Sequence, residues 1–241
     1  MSLPGPHLTS AAALIADPSR AAILLGLLGG KSLPAGELAR LAGVSPQTAS
    51  SHLAKLVEGG LIVHESQGRH KYFRLAGREV AHALEALHAI APPKPVRSLR
   101  ESDQLRALKH ARTCYDHLAG RLGVALTDRL LELGWLEASD CRDFALTGPG
   151  RERLAQFGVS VPENGGRRRH FARQCLDWSE RRPHLAGSLG SALADRFFEL
   201  RWIERLPGGR SLRVTTEGTR GLASAFGLSW EPGTGVPPHG E

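Results

Sequence analysis

The break between two helical patterns, Gly43 to Ser45, is the strongest constraint on the fold of this chain. Gly43 can end a helix in the left-handed conformation, which other residues adopt only at a cost. Ser45 and Pro46 follow at once, and Ser at the N-cap with Pro in the first turn is typical of a helix start. The sequence therefore predicts helices over 35–42 and 46–58, joined by a turn short enough to set them at a steep angle, as in a helix-turn-helix unit.

The second of these helices has one apolar side and one unusual polar side. Ala49, Leu53 and Leu56 recur at helical spacing, which predicts a side that packs on the core. The polar side has small hydrogen-bonding groups and one cation, where a solvated helix usually alternates Glu and Lys. On an isolated helix it would be an ordinary water-facing surface, but in the DNA major groove such groups can bond base edges and phosphates. The side chains concerned are Gln47, Thr48, Ser51 and Lys55.

Two strand-like runs follow this helix. Residues 61–65 and 71–75 are joined by a flexible, cationic segment, 66–70, which predicts a β-hairpin. Arg69 and Lys71 would reach the DNA backbone or minor groove beside the helix. The tight turn before the helix and the basic hairpin after it favour DNA over water as the partner of the polar side.

These stretches resemble the DNA-binding domain of the ArsR/SmtB family of bacterial winged-helix repressors, over roughly residues 8–92. The resemblance rests on DPSRAAILLGLL, ELARLAGVSPQTASSHLAKLVEGGLI and GRHKYFRLAG, and on the spacing of Ser50, His52, Leu53, Leu56, Gly60 and Leu61. It implies a homodimer in which a terminal helix over 77–91 pairs with the first helix. This dimer would release a palindromic operator in double-stranded DNA when an effector binds. The DNA-contacting residues predicted by pattern and resemblance together are Ser45, Gln47, Thr48, Ser50, Ser51, His52, Lys55, Arg69, His70 and Lys71.

The metal ligands of this family are missing from their usual positions. Its metal sensors carry a cysteine pair at the third helix, or Asp, His and Glu ligands along the last one. Residues 33–42 contain no cysteine. His82 and His88 stand about 240° apart around a helix axis and cannot converge on one ion within one chain. We therefore expect both histidines to be partly exposed helix residues.

Beyond a proline-rich linker the chain repeats itself. ARTCYDHLAGRLGVALTDRLLELGWLE at 111–137 matches ARQCLDWSERRPHLAGSLGSALADRFFELRWIE at 172–204, with one insertion in the second copy. We expect each copy to form helix, helix, hairpin and helix, a reduced winged-helix-like unit that lacks a polar DNA-reading helix. Equivalent positions are Cys114 and Cys175, Asp116 and Asp177, His117 and His184, Asp128 and Asp195, Arg129 and Arg196, and Trp135 and Trp202.

The predicted fold is mainly α with small β-hairpins: a winged helix-turn-helix domain followed by a tandem-repeat, winged-helix-like α+β domain. A basic segment at 167–170, between the copies, is predicted to be a solvated linker, with a phosphate contact as the alternative. The expected limits are 1–92 for DNA binding and dimerisation, 93–98 for the linker, 99–230 for the effector domain, with copies near 105–160 and 168–228, and 231–241 for a flexible tail.

The repeated cysteines, Cys114 and Cys175, are candidates for sensing an effector. Each follows an Arg and precedes a His, surroundings that favour metal ligation or oxidation of a thiolate. Alone they would form a thiol switch, and with His117 and His184 they would bind a soft ion such as Zn²⁺ or Cu⁺, the one cofactor we consider. The insertion Trp178 to Pro183 breaks the Cys-x-x-His spacing of the second copy, which weighs against four ligands. The alternative is that the repeated Cys, Asp, Arg and Trp residues are structural. Cys141 has no counterpart.

The composition is compatible with a transcriptional regulator but does not by itself identify one. A net charge of +7 and 41% hydrophobic residues suit a globular chain with an anionic partner. Neither a membrane span nor a secretory signal is visible, and three cysteines are too few for a disulfide framework, so we expect a cytoplasmic protein. We expect a sequence-specific DNA-binding transcriptional regulator, a repressor released by a thiol-reactive, metal or small-molecule effector, with no catalytic residues. The alternatives are a sequence-tolerant architectural DNA-binding protein and, less favoured because no catalytic motif is present, a thiol-dependent enzyme fused to a DNA-binding domain.

Overall fold

The structure, a computed structural model, describes residues 8–68, 70–92, 95–139, 143–160, 171–207 and 209–231. The chain divides into two compact units, of which the first ends at Leu84 and the second begins at Glu85. The predicted linker residues Pro93 and Lys94, the basic segment 167–170, Cys141 and the tail from residue 232 lie outside the described residues.

The first unit consists of short helices and one small sheet. Its elements are α1 (Leu8–Ala16), α2 (Pro18–Leu27), β1 (Leu33–Pro34), α3 (Ala35–Ala42), α4 (Pro46–Glu58), β2 (Ile62–Gln67), β3 (His70–Leu75) and the start of α5 (Arg78–Ile90), which continues into the second unit. Among the described residues no single helix is long and apolar enough to cross a membrane; α1 and α2 meet that test together, but across a bend of 94°.

Local sequence signals set the boundaries of these helices. The Asp17 side chain accepts a hydrogen bond from the Arg20 N–H at 2.9 Å and so caps α2. Gly43 ends α3 at φ 65°, and Ser45 starts α4 by accepting from the Thr48 N–H at 3.2 Å. The helix-turn-helix predicted from this junction is therefore present, with α3 and α4 bounded as expected.

The sheet of the first unit has three strands in the order β1-β3-β2, all antiparallel. β2 and β3 form the predicted hairpin, in register from Ile62 opposite Leu75 to Gln67 opposite His70. β1 was not expected; it pairs Leu33 with Phe73 and joins the start of α3 to the hairpin. The buried side of the unit is formed by Leu24, Leu27, Leu38, Ala49, Leu53, Leu56, Ile62 and Phe73.

The second unit contains two successive segments with the same order of elements: hairpin, helix, hairpin, helix. α6 (Leu99–His110) precedes the first segment. The first contains β4 (Arg112–Cys114), β5 (His117–Ala119), α7 (Gly120–Glu132), β6 (Leu136–Ala138), β7 (Phe144–Leu146) and α8 (Gly148–Gln156). The second contains β8 (Arg173–Leu176), β9 (Pro183–Ala186), α9 (Gly187–Glu199), β10 (Ile203–Arg205), β11 (Leu212–Val214) and α10 (Thr216–Phe226).

The prediction of a helix at the start of each repeat was wrong. Residues 112–119 and 173–186 form β-hairpins, with Tyr115 at φ 60° in the tight turn of the first. Every residue of β4 and β5 is buried. Alternation of apolar and polar residues is the usual sequence sign of a strand. It is absent when both faces of the strand are buried, so the sequence did not indicate these strands.

The helix of each segment lies against the first hairpin of the other. A Cβ added at Gly123 of α7 would lie 3.6 Å from the His184 Cβ, and one at Gly190 of α9 would lie 3.3 Å from the His117 Cβ. In both helices that added carbon would also meet a hairpin carbonyl oxygen at 2.5 Å. That oxygen belongs to the hairpin of the same segment, Leu118 O for Gly123 and Leu185 O for Gly190, so glycine is what permits each helix to lie this close to its own hairpin.

The segments also cap each other's last helix. Arg129 Nε of α7 donates to Phe226 O at 2.6 Å, and Arg196 Nε of α9 donates to Phe157 O at 3.0 Å. A single core of aromatic rings lies between them, with centroid separations of 5.1 to 6.5 Å. Its rings belong to Phe157, Phe197, Trp202 and Phe226.

Gly150→Ala is expected to lower the free energy of unfolding by about 1 to 3 kcal/mol. The added Cβ would lie 2.2 Å from Trp135 O, a backbone atom that cannot move aside alone. Gly148→Ala, in the same turn of α8, is the matched control, because nothing lies within 4 Å of its Cβ. Urea unfolding followed by far-ultraviolet circular dichroism compares them, and equal losses in the two variants would contradict this account.

Candidate functional site

The polar side of α4 faces outward. Its apolar side is covered by the core of the first unit, which Ala49, Leu53 and Leu56 enter. Small hydrogen-bonding groups and one cation are thereby held on a rigid, capped helix, the arrangement needed to read base edges. The exposed side chains are Gln47, Thr48, Ser51 and Lys55.

Some of the predicted contact residues already bond to their own helix. Ser45 Oγ lies 2.8 Å from Thr48 Oγ1, in addition to capping the helix, and Ser50 Oγ donates to Pro46 O at 2.9 Å. These bonds occupy part of the hydrogen-bonding capacity of the three hydroxyls. Gln47, Ser51 and Lys55 are therefore the stronger candidates for contact with a ligand outside the chain.

His52 does not share this face. Its side chain is only 15% exposed and its Nδ1 lies 4.0 Å from Asp17 Oδ1 at the start of α2. The prediction of His52 as a DNA contact is therefore not supported by its position, which follows from α4 turning this residue toward the neighbouring helix.

The hairpin of β2 and β3 carries the remaining predicted contacts. His70 and Lys71 are exposed at the start of β3, whereas Arg69 lies outside the described residues. Across the hairpin, Arg74 and Glu65 form a salt bridge of 3.2 Å, both side chains being substantially exposed. Lys71 thus places an exposed cation near the tip of the hairpin, where an anionic partner such as a phosphate could be contacted.

A second cluster lies in the second unit, where the predicted effector residues come together. The ligand atoms of Cys114, His117, Cys175 and His184 all lie within 4.8 Å of one another. The two sulfur atoms are 3.9 Å apart and the two Nε2 atoms 3.1 Å apart. Exposure is 0% for Cys114, 1% for His117, 9% for Cys175 and 0% for His184.

Strand register, not sequence spacing, brings these groups together. Cys114 is opposite His117 in the β4–β5 ladder, and Cys175 is opposite His184 in the β8–β9 ladder. The insertion that breaks the Cys-x-x-His spacing, residues 178–183, falls mainly in the loop between β8 and β9. The objection that it raised against a four-residue cluster is therefore removed.

Two of the distances in this cluster, between the sulfurs and between the Nε2 atoms, lie close to those of a tetrahedral site. Zinc bonds of about 2.3 Å to sulfur and 2.0–2.1 Å to nitrogen would separate two sulfur ligands by about 3.8 Å and two nitrogen ligands by about 3.3 Å. The measured separations are 3.9 and 3.1 Å. Two thiols and two imidazoles are also the donor set that soft and borderline ions prefer.

A carboxylate lies behind each imidazole. Asp116 Oδ1 is 3.0 Å from His117 Nδ1, and Asp177 Oδ2 is 3.2 Å from His184 Nδ1. When Nδ1 donates its proton to a carboxylate, Nε2 carries the lone pair and is the ligand atom. Both Nε2 atoms thus point into the space shared with the sulfurs.

Asp177 is also the centre of a buried polar network that the sequence did not reveal. Arg112 donates to its Oδ2 at 2.9 Å, as does the Gly120 N–H at 2.7 Å. Burial acts to raise the pKa of Asp177, but the bond from His184 and the charge of Arg112 outweigh it and hold that pKa well below its usual range. The one available sequence signal of this network was the Arg of the repeated Ala-Arg-x-Cys motif. An Arg two residues before a buried Cys needs a partner.

The thiol of Cys114 is held in its protonated form. Its hydrogen bond with Cys175 and its burial raise the pKa of Cys114 to about 12. Buried thiols with a raised pKa react slowly with oxidants, because the thiolate is the nucleophile. A metal ion binds them differently, since it displaces the proton and forms its own bond to sulfur.

Comparison with known proteins places this chain among helix-turn-helix regulators. Residues 15–65 match a family described as a helix-turn-helix domain. The HTH-type transcriptional regulator YdfF of Bacillus subtilis (strain 168) is 47% identical over 213 residues, which are 88% of this chain and 94% of YdfF. The chain belongs to the family of HTH-type transcriptional regulators that includes YdfF. The prediction of a regulator with a DNA-binding winged helix-turn-helix domain is thereby confirmed.

Other similar proteins match only the smaller part of this regulator. CmtR of Mycobacterium tuberculosis (strain ATCC 25618 / H37Rv) is 40% identical over 73 residues, 30% of this chain and 61% of CmtR. The NMR structure of CmtR, described as a cadmium metal-sensor, is 33% identical over 39% of this chain and 100% of its own, with a TM-score of 0.31. The homodimeric DNA-binding domain of Mb0332 from Mycobacterium bovis is 28% identical over 34% of this chain and 76% of its own, with a TM-score of 0.32.

Ser45→Ala is expected to destabilise α4 by about 1 kcal/mol, whereas Ser45→Gly should cost only a few tenths. The reason is that Ser45 Oγ satisfies the Thr48 N–H at the start of the helix. Amide hydrogen exchange along α4 would be about three- to fourfold faster in the alanine variant than in the glycine variant. Identical exchange in both would show that the cap does not hold the helix.

Proposed function

We propose that this regulator is a homodimeric repressor that binds a palindromic operator sequence-specifically through α4 and the β2–β3 hairpin, and releases it when a soft metal ion binds Cys114, His117, Cys175 and His184. The observation that carries the metal part is the agreement of the sulfur and nitrogen separations with a tetrahedral site.

Sequence-specific binding is supported by the chemistry of the exposed side of α4. Gln47 and Ser51 offer both donors and acceptors, which can tell one base pair from another in the major groove. Lys55 and Lys71 are exposed cations that would contact phosphates and fix the register without reading sequence.

A homodimer is supported by exposed apolar side chains on the two helices that the family resemblance assigns to dimerisation. Leu8 of α1 is 80% exposed, and Leu87 and Ile90 of α5 are 43% and 80% exposed. Burial of such side chains against a second copy would remove apolar surface from water. A twofold dimer would then present two α4 helices to two related half-sites.

A soft metal ion is favoured over the other effectors that the sequence allowed. Oxidation of the pair is disfavoured by the raised pKa of Cys114, which keeps the thiolate scarce. Metal binding is favoured by two carboxylates behind the imidazoles, because such partners orient the ligand atoms. By linkage, an ion that weakens operator binding by some factor must itself bind less tightly to the operator complex by the same factor.

Gln47→Ala is expected to relax base preference at one operator position, with a loss of about 1 to 3 kcal/mol of discrimination. Lys71→Ala should weaken binding to all DNA sequences alike and reduce the salt dependence of log K by about one. Fluorescence anisotropy with operator, single-base variants and random DNA at several salt concentrations separates the two effects. Affinity that hardly varied with sequence in the wild type would instead support architectural binding.

Cys114→Ser and Cys175→Ser are each expected to lose tight Co²⁺, Zn²⁺ or Cd²⁺ binding while retaining operator binding. The wild type should bind one ion per chain, with the intense visible absorption of tetrahedral Co²⁺ bound to thiolate. Addition of Zn²⁺ or Cd²⁺ should weaken operator binding by about 5- to 150-fold, the usual range of allosteric coupling.

The control for this experiment is Cys141→Ser, which removes the third cysteine of the sequence and should leave both metal stoichiometry and operator release unchanged. Metal release of DNA that survived loss of Cys114 or Cys175 would place the sensing site elsewhere. Oxidant-driven release in the absence of any metal would favour a thiol switch instead.

A further inference from the structure

Two series of contacts lead from the cysteine–histidine cluster to one face of α5. They end on Glu85 and His88, which are three residues apart and therefore neighbours on the helix surface. Glu85 is 2% exposed although it is charged, so the second unit holds this part of α5 by a specific interaction.

The first path runs through Arg210. Its guanidinium, almost fully buried, donates to the Glu85 carboxylate. Arg210 also bonds to β4 in two ways: its carbonyl accepts from the Thr113 N–H at 3.0 Å, and its guanidinium lies 3.4 Å from the Thr113 carbonyl. Thr113 immediately precedes Cys114, so movement of Cys114 also moves Thr113, to which Arg210 is bonded.

The second path runs through the network of Asp177. Arg112, bonded to Asp177, lies with its guanidinium carbon 4.7 Å from the centre of the Trp178 ring. The His88 ring of α5 lies 5.8 Å from that same ring, centroid to centroid. Asp177 also lies 3.2 Å from His184. A second proposed metal-binding residue is therefore linked to α5 by a short series of contacts.

We infer that Glu85 and Arg210 are positioning residues that transmit occupancy of the cluster to α5. This inference rests on the proposed function, since it takes a soft metal ion to be the effector. A metal ion at the cluster binds Cys114 Sγ and fixes β4, and Arg210 follows β4 because it is bonded to Thr113 on both its carbonyl and its guanidinium. A buried ion pair tolerates little misalignment, so Glu85 and the helix that carries it respond to the position of Arg210.

The test is a comparison of Glu85→Gln and Arg210→Lys with the wild-type full chain. Operator affinity is measured with and without Cd²⁺, and Cd²⁺ affinity is measured separately in the absence of DNA. Both variants should bind Cd²⁺ within about twofold of the wild type. The weakening of operator binding by Cd²⁺, about fivefold or more in the wild type, should shrink toward one. Glu204→Gln is the matched control, because it removes an exposed salt bridge to Arg213 on the neighbouring β10–β11 hairpin and should leave the response intact.

Hydrogen exchange of the wild-type chain is a second test, which does not depend on whether the variants fold. Addition of Cd²⁺ should change amide exchange over 85–90 together with 112–119, and leave β6 and β7 as they were. Unchanged exchange over 85–90, or a full Cd²⁺ response in Glu85→Gln, overturns the inference while leaving the proposed function standing. A wild type that binds Cd²⁺ without any change in operator affinity, or binds none, overturns the proposed function and the inference with it.

Discussion

The buried ion pair of Arg112 and Asp177 is the interaction on which the second unit depends. Each side chain is fully buried, so neither charge has water to stabilise it, and each must be satisfied by the other and by nearby hydrogen bonds. Removing one partner of such a pair typically costs about 3 to 5 kcal/mol, because an unpaired charge remains inside. Arg112 belongs to the first segment and Asp177 to the second, so the pair requires the two segments to assemble in one arrangement.

That arrangement is also the one that forms the cluster. Asp177 accepts from the first residue of α7 and lies beside His184, while α7 and α9 each pack against the first hairpin of the other segment, beside its histidine. The four sulfur and nitrogen atoms therefore depend on long-range packing, and neither hairpin could supply more than two of them. A metal ion bound there would stabilise the assembled unit over any opened form, which is the thermodynamic basis of the sensing that we propose.

The parts of the fold that the sequence predicted are those governed by local signals. The turn at Gly43 and the Ser45 cap act within four residues, and their helices have the predicted bounds. The β4–β5 hairpin was missed because both its faces are buried, which removes the alternation that identifies a strand. For the Arg112–Asp177 pair, 65 residues apart in sequence, the repeated Arg suggested at most that a partner exists, and nothing local identified it as Asp177.

The same difference between local and long-range constraints explains why a four-residue cluster received little weight from the sequence alone. It also bears on which function the cluster favours. Spacing along the chain suggested that the insertion at 178–183 would separate Cys175 from His184, but antiparallel pairing depends on register and tolerates a longer loop. Once assembled, the cluster supplies all four positions of a tetrahedral ion from protein side chains. A catalytic zinc site keeps one position open for water or substrate, so a complete set of four ligands favours sensing or structural stabilisation over turnover. Between these two, the contacts that lead from the cluster to Glu85 and His88 support the sensing role that we propose, because a purely structural ion has no need of them.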